Sequence, residues 1–529
     1  MKTKQYESQE AALISVENFS FAYESIDDPL LIDLNFTLHH DEVTLLMGAS
    51  GSGKSTVSLC LNGLYPEAVE GESNGCITFS GKDITKFPSG MLNQHIGIVF
   101  QDPETQFCMI HVEDELAFTL ENLQTPPAQM AGMITEALKL VGMESYKHSK
   151  LHELSGGEKQ KIALASVLLS EPELLILDEA TVNLDPASTR EFVQLVKAIQ
   201  EKQQISVLII DHQADEWLQF TDRLLLLGKE GRLMADEHPD RLFTAKKALL
   251  KKEGVFLPKK YDNSPLFTRS MQPIPPAAKN ILTVEGINFN RKNKSILNGV
   301  DLEIRGGEFI SIVGRNGSGK STLLEIMAGI LEPAGGQVLM HGKPLQLWQE
   351  SELRQKMGFV FQNPEHQFIT DTVYDEIVFG MKLNDYPEEV IQRSSSFLLE
   401  QFQLSEHKFQ NPFSLSGGQK RRLSVATALD DTPDILLFDE PTFGQDAYTT
   451  HRLMEMILDL KERGIAIVFV THDMELASLS DRILVLHDGM IAFSDQPKNL
   501  WMQGDLLKKA RLRLPYHREN PASREEVHL

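Results

Sequence analysis

The sequence MGASGSGKST at Met47–Thr56 recurs as VGRNGSGKST at Val313–Thr322, and each copy is followed by the same later motifs in the same order. A chain built this way has to fold one phosphate-binding module twice. The pattern G-x-x-x-x-G-K-[ST] is a glycine-rich turn whose backbone N–H groups wrap phosphates, with a lysine that neutralises them and a hydroxyl that holds Mg2+. In the first copy those residues are Gly48, Ala49, Ser50, Gly51, Ser52, Gly53, Lys54, Ser55 and Thr56. In the second they are Gly314, Arg315, Asn316, Gly317, Ser318, Gly319, Lys320, Ser321 and Thr322.

The surrounding periodicity supplies the strand, loop, helix context that such a turn needs. Short β-rich runs at Glu42–Met47 and Phe309–Val313 precede the turns, and helical patterns at Ser55–Asn62 and Ser321–Ile330 follow them. Leu174–Leu177 and Ile435–Phe438 are unbroken apolar runs ending in Asp-Glu, as expected of central parallel strands covered on both faces. Val207–Ile210 and Ile467–Val470 repeat that pattern before Asp211-His212 and Thr471-His472. A hairpin is predicted over Ile483–Phe493 around the Asp488-Gly489 turn. Met130, Met133, Ile134, Ala137, Leu138 and Val141 recur at helical spacing, so Gln129–Gly142 is an amphipathic helix, with a counterpart at Glu388–Phe402.

Separations between equivalent motifs drift by only a few residues, which predicts equivalent domains at 1–245 and 281–505. Between them, 246–280 reads as a linker with Lys pairs at 246–247, 251–252 and 259–260 and prolines at 273, 275 and 276. The end, 506–529, reads as a polar, mobile tail. With 529 residues the chain is too long for one core. Its apolar runs are of strand length, far below the ~20 residues of a membrane span. The N-terminus lacks an apolar leader, so the chain is expected to stay in the cytoplasm. A net charge of −24 opposes nucleic acid as a partner. Cys60, Cys76 and Cys108 are scattered and read as packing residues.

Two further segments, Leu154–Gln160 (LSGGEKQ) and Leu415–Arg421 (LSGGQKR), each lie shortly before an apolar-Asp-Glu strand. Taken alone, LSGG is a helix N-cap. In this context the chain resembles an ATP-binding-cassette (ABC) ATPase with two fused nucleotide-binding domains, over nearly all of its length outside the linker and tail. The resemblance implies an α/β fold of tandem P-loop domains, each a RecA-like, mostly parallel sheet with an antiparallel β subdomain and an inserted helical subdomain. It implies ATP and Mg2+ as cofactors. By it, Ser55 with Asp178 and Ser321 with Asp439 hold Mg2+, Glu179 and Glu440 polarise the attacking water, Gln101 and Gln362 touch the metal or that water, and His212 and His472 bond the γ-phosphate. Tyr23 matches the adenine-stacking aromatic. Ser155, Gly156 and Gly157 of one domain, and Ser416, Gly417 and Gly418 of the other, would complete the opposite phosphate loop, so no homodimer is needed.

Departures from the family pattern are Arg291 at the aromatic position, Ala180 and Asn183 within DEATVNLD, and Gln445 within DEPTFGQD. No catalytic group is lost, so two competent sites of unequal affinity are expected. FQDPETQF at Phe100–Phe107 and FQNPEHQF at Phe361–Phe368, followed by Glu113-Asp114-Glu115 and Asp375-Glu376, resemble energy-coupling-factor importers, closest to the hydroxymethylpyrimidine or thiamine type. That resemblance implies a transmembrane scaffold whose coupling helices meet this region, often through arginines, and a small substrate-binding membrane subunit. It also implies a peripheral position on the cytoplasmic face of the membrane. Sugar-importer ATPases and soluble tandem ATPases of the ribosome are the alternatives.

Overall fold

Apolar runs without a polar face end up as strands covered on both sides. The computed structural model describes residues 12–24, 29–65, 71–88, 90–262, 279–291, 294–429, 433–442 and 444–515. The chain divides into two units, Met1–Asp262 and Asn263–Leu529. In the first, six strands lie in the order Leu233–Glu237, Arg223–Leu227, Val43–Gly48, Ser206–Ile210, Leu174–Asp178 and Ile96–Val99. All neighbours are parallel except the first pair. The second unit repeats this with Met357–Val360, Ile435–Asp439, Ala466–Val470, Phe309–Val313, Arg482–His487 and Met490–Asp495, where only the final hairpin is antiparallel. Each unit is therefore α/β with a mostly parallel sheet.

A four-stranded antiparallel sheet accompanies each core, ordered Leu31–His39, Ala12–Tyr23, Gly71–Phe79 and Lys82–Asp83 in the first unit. Its counterpart is Lys294–Arg305, Asn280–Arg291, Gly335–Met340 and Lys343–Pro344. The helical lobe is inserted between the Ile96–Val99 and Leu174–Asp178 strands. It consists of Val112–Asn122, Pro127–Leu140 and Gly156–Leu168, packed through Val112, Leu116, Leu120, Ile134 and Leu138. Met130 and Met133 of the predicted stripe lie at the rim of that core, partly buried. The second lobe has Val373–Leu383, Glu388–Gln401 and Gly417–Thr427.

The order of strands decides where chemistry gathers. The strand before each phosphate loop lies at the centre of its sheet, and the other parallel strands run the same way. Their carboxyl ends therefore open into one crevice, the usual ligand position in open α/β sheets. The helix after each loop starts at Lys54 and Lys320, behind Gly53 and Gly319 with φ of 97° and 101°. Only glycine adopts that left-handed turn without strain, and a Cβ on Gly53 would come within 2.6 Å of Leu31 Cδ2. The second helix ends at Met327, short of the predicted Ile330, because Gly329 turns left-handed at φ 70°.

Two boundaries differ from expectation. Residues 246–262 fold with the first unit: helix Lys247–Lys252 buries Leu250, Val255 is buried beyond it, and Tyr261 stacks on Phe243 with centroids 5.1 Å apart. The Lys pairs belong to this packing, with Lys246 2.6 Å from Glu237 and Lys251 2.7 Å from Asp262. The prolines at 273, 275 and 276 lie outside the described residues. Likewise 506–515 is packed, since helix Gly504–Lys509 buries Leu507 and Ala510 is buried after it; 516–529 lies outside the described residues. No helix among the described residues is long and apolar enough to cross a membrane. A Leu250→Ala variant should lose about 2–5 kcal/mol of first-unit stability in denaturant unfolding; an unchanged transition would mean that this helix does not pack on the first unit.

Candidate active site

The two halves of each site come from the ends of two strands that flank a third, Ser206–Ile210 in the first unit and Ala466–Val470 in the second. Lys54 Nζ donates to the carbonyls of Gly48 and Ala49 at 3.2 and 2.9 Å and lies 3.9 Å from Glu179 Oε1. Lys320 makes the same bonds to Gly314 and Arg315 at 2.9 and 3.1 Å. Ser55 Oγ donates to Asp178 Oδ1 at 3.0 Å, and Ser321 Oγ to Asp439 Oδ1 at 3.1 Å. The structure thus brings the predicted lysine, hydroxyl and aspartate together in both units. One hydroxyl and one carboxylate suit Mg2+, which keeps several waters and takes substrate phosphate oxygens as its remaining ligands. Among the described residues, no group of three or more His, Cys, Asp or Glu side chains competes as a metal cage. Cys60 is buried, with its thiol pushed up to about 12 by that burial, while Cys108 is exposed.

Glu179 and Glu440 follow the metal-side aspartates with φ of 51° and 46°. Left-handed backbone at a glutamate is uncommon, and such residues persist where neighbours over-determine them. Here the glutamate N–H groups donate across to Ile210 and Val470 at 2.8 and 3.1 Å. The side chains meet the predicted histidines: His212 Nε2 lies 2.8 Å from Glu179 Oε1, and His472 Nε2 lies 3.2 Å from Glu440 Oε2.

Burial separates the two carboxylates of each pair. Desolvation and then the neighbouring Glu179 push Asp178 up to about 6, against the hydrogen bonds of Ser55 and Ser58. Asp439 is pushed to about 6 mainly by burial, against the Ser321 bond. Burial also acts to raise Glu179, but the His212 hydrogen bond and charge, with Lys54, hold it below its ordinary value. Glu440 is held down by His472 and Lys320 in the same way. Each glutamate is thereby kept ionised, the form that can accept a proton from water.

The LSGG segments are N-caps in the structure. Ser155 caps Gly156–Leu168 in a capping box with Glu158, and Ser416 caps Gly417–Thr427 in one with Gln419. The glycines admit the next long helix: a Cβ on Gly418 would approach Thr449 Oγ1 to 3.0 Å. Tyr23 ends its antiparallel strand with its hydroxyl 3.0 Å from Thr56 Oγ1 and its ring edge-on to Phe21. Arg291 ends the equivalent strand, and its charge bears on Glu325, a carboxyl raised by burial.

Some contacts escape sequence reasoning. Ser58 Oγ donates to Asp178 Oδ2 at 3.1 Å; its place three residues after Ser55 on a helix was the available signal. Asp211 is fully buried and accepts from Thr181 Oγ1 at 2.7 Å, Trp217 Nε1 at 2.8 Å and the Gln213 N–H at 2.9 Å, where the second unit has Thr471. One glutamate of each acidic cluster differs from expectation more sharply, while Asp114 stays exposed and Asp375 partly so. Glu115 Oε2 accepts the N–H groups of Cys108 and Met109 at 2.9 and 2.8 Å. Glu376 does the same for Ile369 and Thr370 at 3.0 and 2.7 Å. These glutamates shape the loops and are not free to meet arginines. Beside these anchors the loop tips also expose apolar side chains, Ile110 at 64% and Ile369 at 72%.

A family profile described as ABC transporter matches residues 31–182 and 297–443. The chain belongs to the ABC transporter family. It is an ABC ATPase with two fused cassettes. A Bacillus subtilis protein provisionally named HMP/thiamine import ATP-binding protein YkoD is 45% identical over 97% of both chains. An ABC transporter ATP-binding protein of Methanosarcina mazei, also named provisionally, is 34% identical over 95% of this chain and 92% of its own. The solved structure of cbiO1 from Clostridium perfringens, described as part of the ABC transporter complex cbiONQ, is 32% identical, with 45% of this chain and 98% of its own covered at TM-score 0.40.

The buried Asp211 network gives a direct expectation. Asp211→Ala leaves the Thr181 and Trp217 donors unpaired and should cost about 1–3 kcal/mol in unfolding free energy, read by denaturant titration with far-UV circular dichroism.

Proposed function

We propose that this ABC ATPase is the ATP-hydrolysing subunit of an energy-coupling-factor importer for hydroxymethylpyrimidine or thiamine. It would work with a transmembrane scaffold and a small substrate-binding membrane subunit at the cytoplasmic face. The observation that carries this reading is the 45% identity to the Bacillus subtilis import protein along 97% of both chains. The apolar loop tips at Ile110 and Ile369 support it, because each follows a glutamine loop and offers an amphipathic scaffold helix an apolar seat.

In this reading Lys54 and Lys320 leave the loop carbonyls for the β- and γ-phosphates of ATP. Ser55 with Asp178 and Ser321 with Asp439 hold Mg2+, which neutralises charge on the phosphates. Glu179 and Glu440 polarise the attacking water, with His212 and His472 orienting them and reaching the γ-phosphate; Gln101 and Gln362 attend the metal or water. Tyr23 stacks on adenine, while Arg291 offers a guanidinium plane. The capped helix starts at Ser155, Gly156, Gly157 and at Ser416, Gly417, Gly418 offer N–H groups to a nucleotide phosphate. The membrane subunits use the cycle of ATP binding and hydrolysis.

Affinity purification of the tagged chain from solubilised native membranes should recover a multi-span scaffold and a small subunit that binds hydroxymethylpyrimidine or thiamine. Recovery of ribosomes, or of a sugar permease, contradicts the proposal. A second expectation concerns pH. Asp178 and Asp439 sit at about 6, above the ordinary 3.8. Their contribution to stability is complete below pH ~4 and is lost as pH rises through about 6. Mg2+ needs the ionised form, so in the presence of ATP it should raise the melting temperature more at pH 7.5 than at pH 5.5. Equal shifts at both pH values would remove these aspartates from the metal site.

A further inference from the structure

The glutamine loops are anchored differently in the two units, through motif residues to which the sequence patterns assign no role in that anchoring. In the second unit Arg421, the sixth residue of the Ser416-capped signature segment, is 2% exposed and donates from both terminal nitrogens to the carbonyls of Phe361 and Gln362. The neighbouring Lys420 reinforces the same junction, 2.6 Å from Glu365. Held this way, Gln362 turns its side-chain Nε2 to 3.4 Å from Glu440 Oε2.

The first unit has the same loop and a different clasp. Gln160 replaces Arg421 and reaches only the Phe100 carbonyl, at 3.0 Å. The Gln101 carbonyl is taken instead by Asn183 Nδ2 at 2.8 Å, from the segment after the catalytic glutamate. At the position of Asn183 the second unit has Gly444, which has no side chain to offer. The two differences compensate: the unit that lacks the asparagine has the arginine. In the asparagine-clasped unit, no described bond joins the Gln101 side chain to Glu179.

We propose that Arg421 is a positioning residue for hydrolysis in the second unit, fixing the Phe361-Gln362 backbone so that Gln362 meets Glu440. A buried guanidinium is expensive to desolvate, and a core filler at this place would be apolar. Arg421 is instead spent on two carbonyls of one loop, because a planar fork with parallel donors can grip two successive carbonyls where a glutamine amide grips one. Through it the signature helix and the glutamine loop move as one body. The inference rests on the reading of Glu440 as the residue that polarises water.

The test measures steady-state ATP hydrolysis by the full-length chain, with Arg421→Met, Arg421→Gln and Glu440→Gln in parallel and each fold checked by its melting transition. Arg421→Met should close at least half the gap in kcat between the unaltered chain and Glu440→Gln, with KM for ATP changed less than twofold. Arg421→Gln, which keeps one carbonyl bond as in the first unit, should fall between, and it serves alone if the methionine variant does not fold. In a Gln362→Ala background the Arg421 substitutions should lower kcat by less than 1.5-fold, since their route of action is already gone. A rise in KM with kcat unchanged, or an equal loss in both backgrounds, would overturn the positioning role. If Glu440→Gln leaves kcat unchanged, the assignment of Glu440 fails instead.

Discussion

Each unit is organised around two adjacent carboxylates at the end of a strand buried on both faces. Ionising Asp178 and Glu179 side by side in that position is unfavourable, and the cost appears directly in Asp178, pushed to about 6. The surrounding residues answer that charge. Ser55 and Ser58 donate to the aspartate, while His212 and Lys54 hold the glutamate down. In the proposed reading the aspartate oxygens turn from these hydroxyls to a divalent cation, and the lysine from the loop carbonyls to phosphate. The parallel sheet makes the arrangement possible, because it delivers the loop lysine, the carboxylates and the histidine from neighbouring strand ends.

The two copies keep this inner arrangement and differ one layer out. Among the described residues the second unit hydrogen-bonds Asp439 from Ser321 without a second hydroxyl, since Leu324 stands where the first has Ser58. It has Thr471 for the buried Asp211, Arg291 for Tyr23, and Arg421 with Gly444 for Gln160 with Asn183. None of these exchanges removes a reacting group. They change the groups that surround each site, and in the proposed reading that is where unequal behaviour of two otherwise equal sites would originate.

Much of this was legible in the sequence because it is written in local patterns. A glycine loop between a strand and a helix, an apolar run ending in Asp-Glu and a helix stripe at three- and four-residue spacing each need only a few neighbouring residues to be recognised. The contacts that were missed depend on long-range packing. Lys-rich 246–262 looks solvated, and only the tertiary fold shows that Leu250 and Val255 are its buried face. Glu115 and Glu376 look like surface acids until their carboxylates are seen bent back onto loop N–H groups. Arg421 is the middle one of three consecutive basic residues at the end of the signature segment, and nothing in that local pattern shows that its side chain is buried. In each case the side chain's partner lies many residues away or on a turn whose geometry no periodicity encodes.

The central claim is that one chain carries two complete ATP sites. The most direct measurement is the number of ATP molecules bound per chain, with Mg2+ present, in a variant carrying Glu179→Gln and Glu440→Gln together so that nucleotide is held without turnover. The account predicts two ATP per chain and no hydrolysis. One ATP per chain, or hydrolysis that survives the loss of both glutamates, would contradict it.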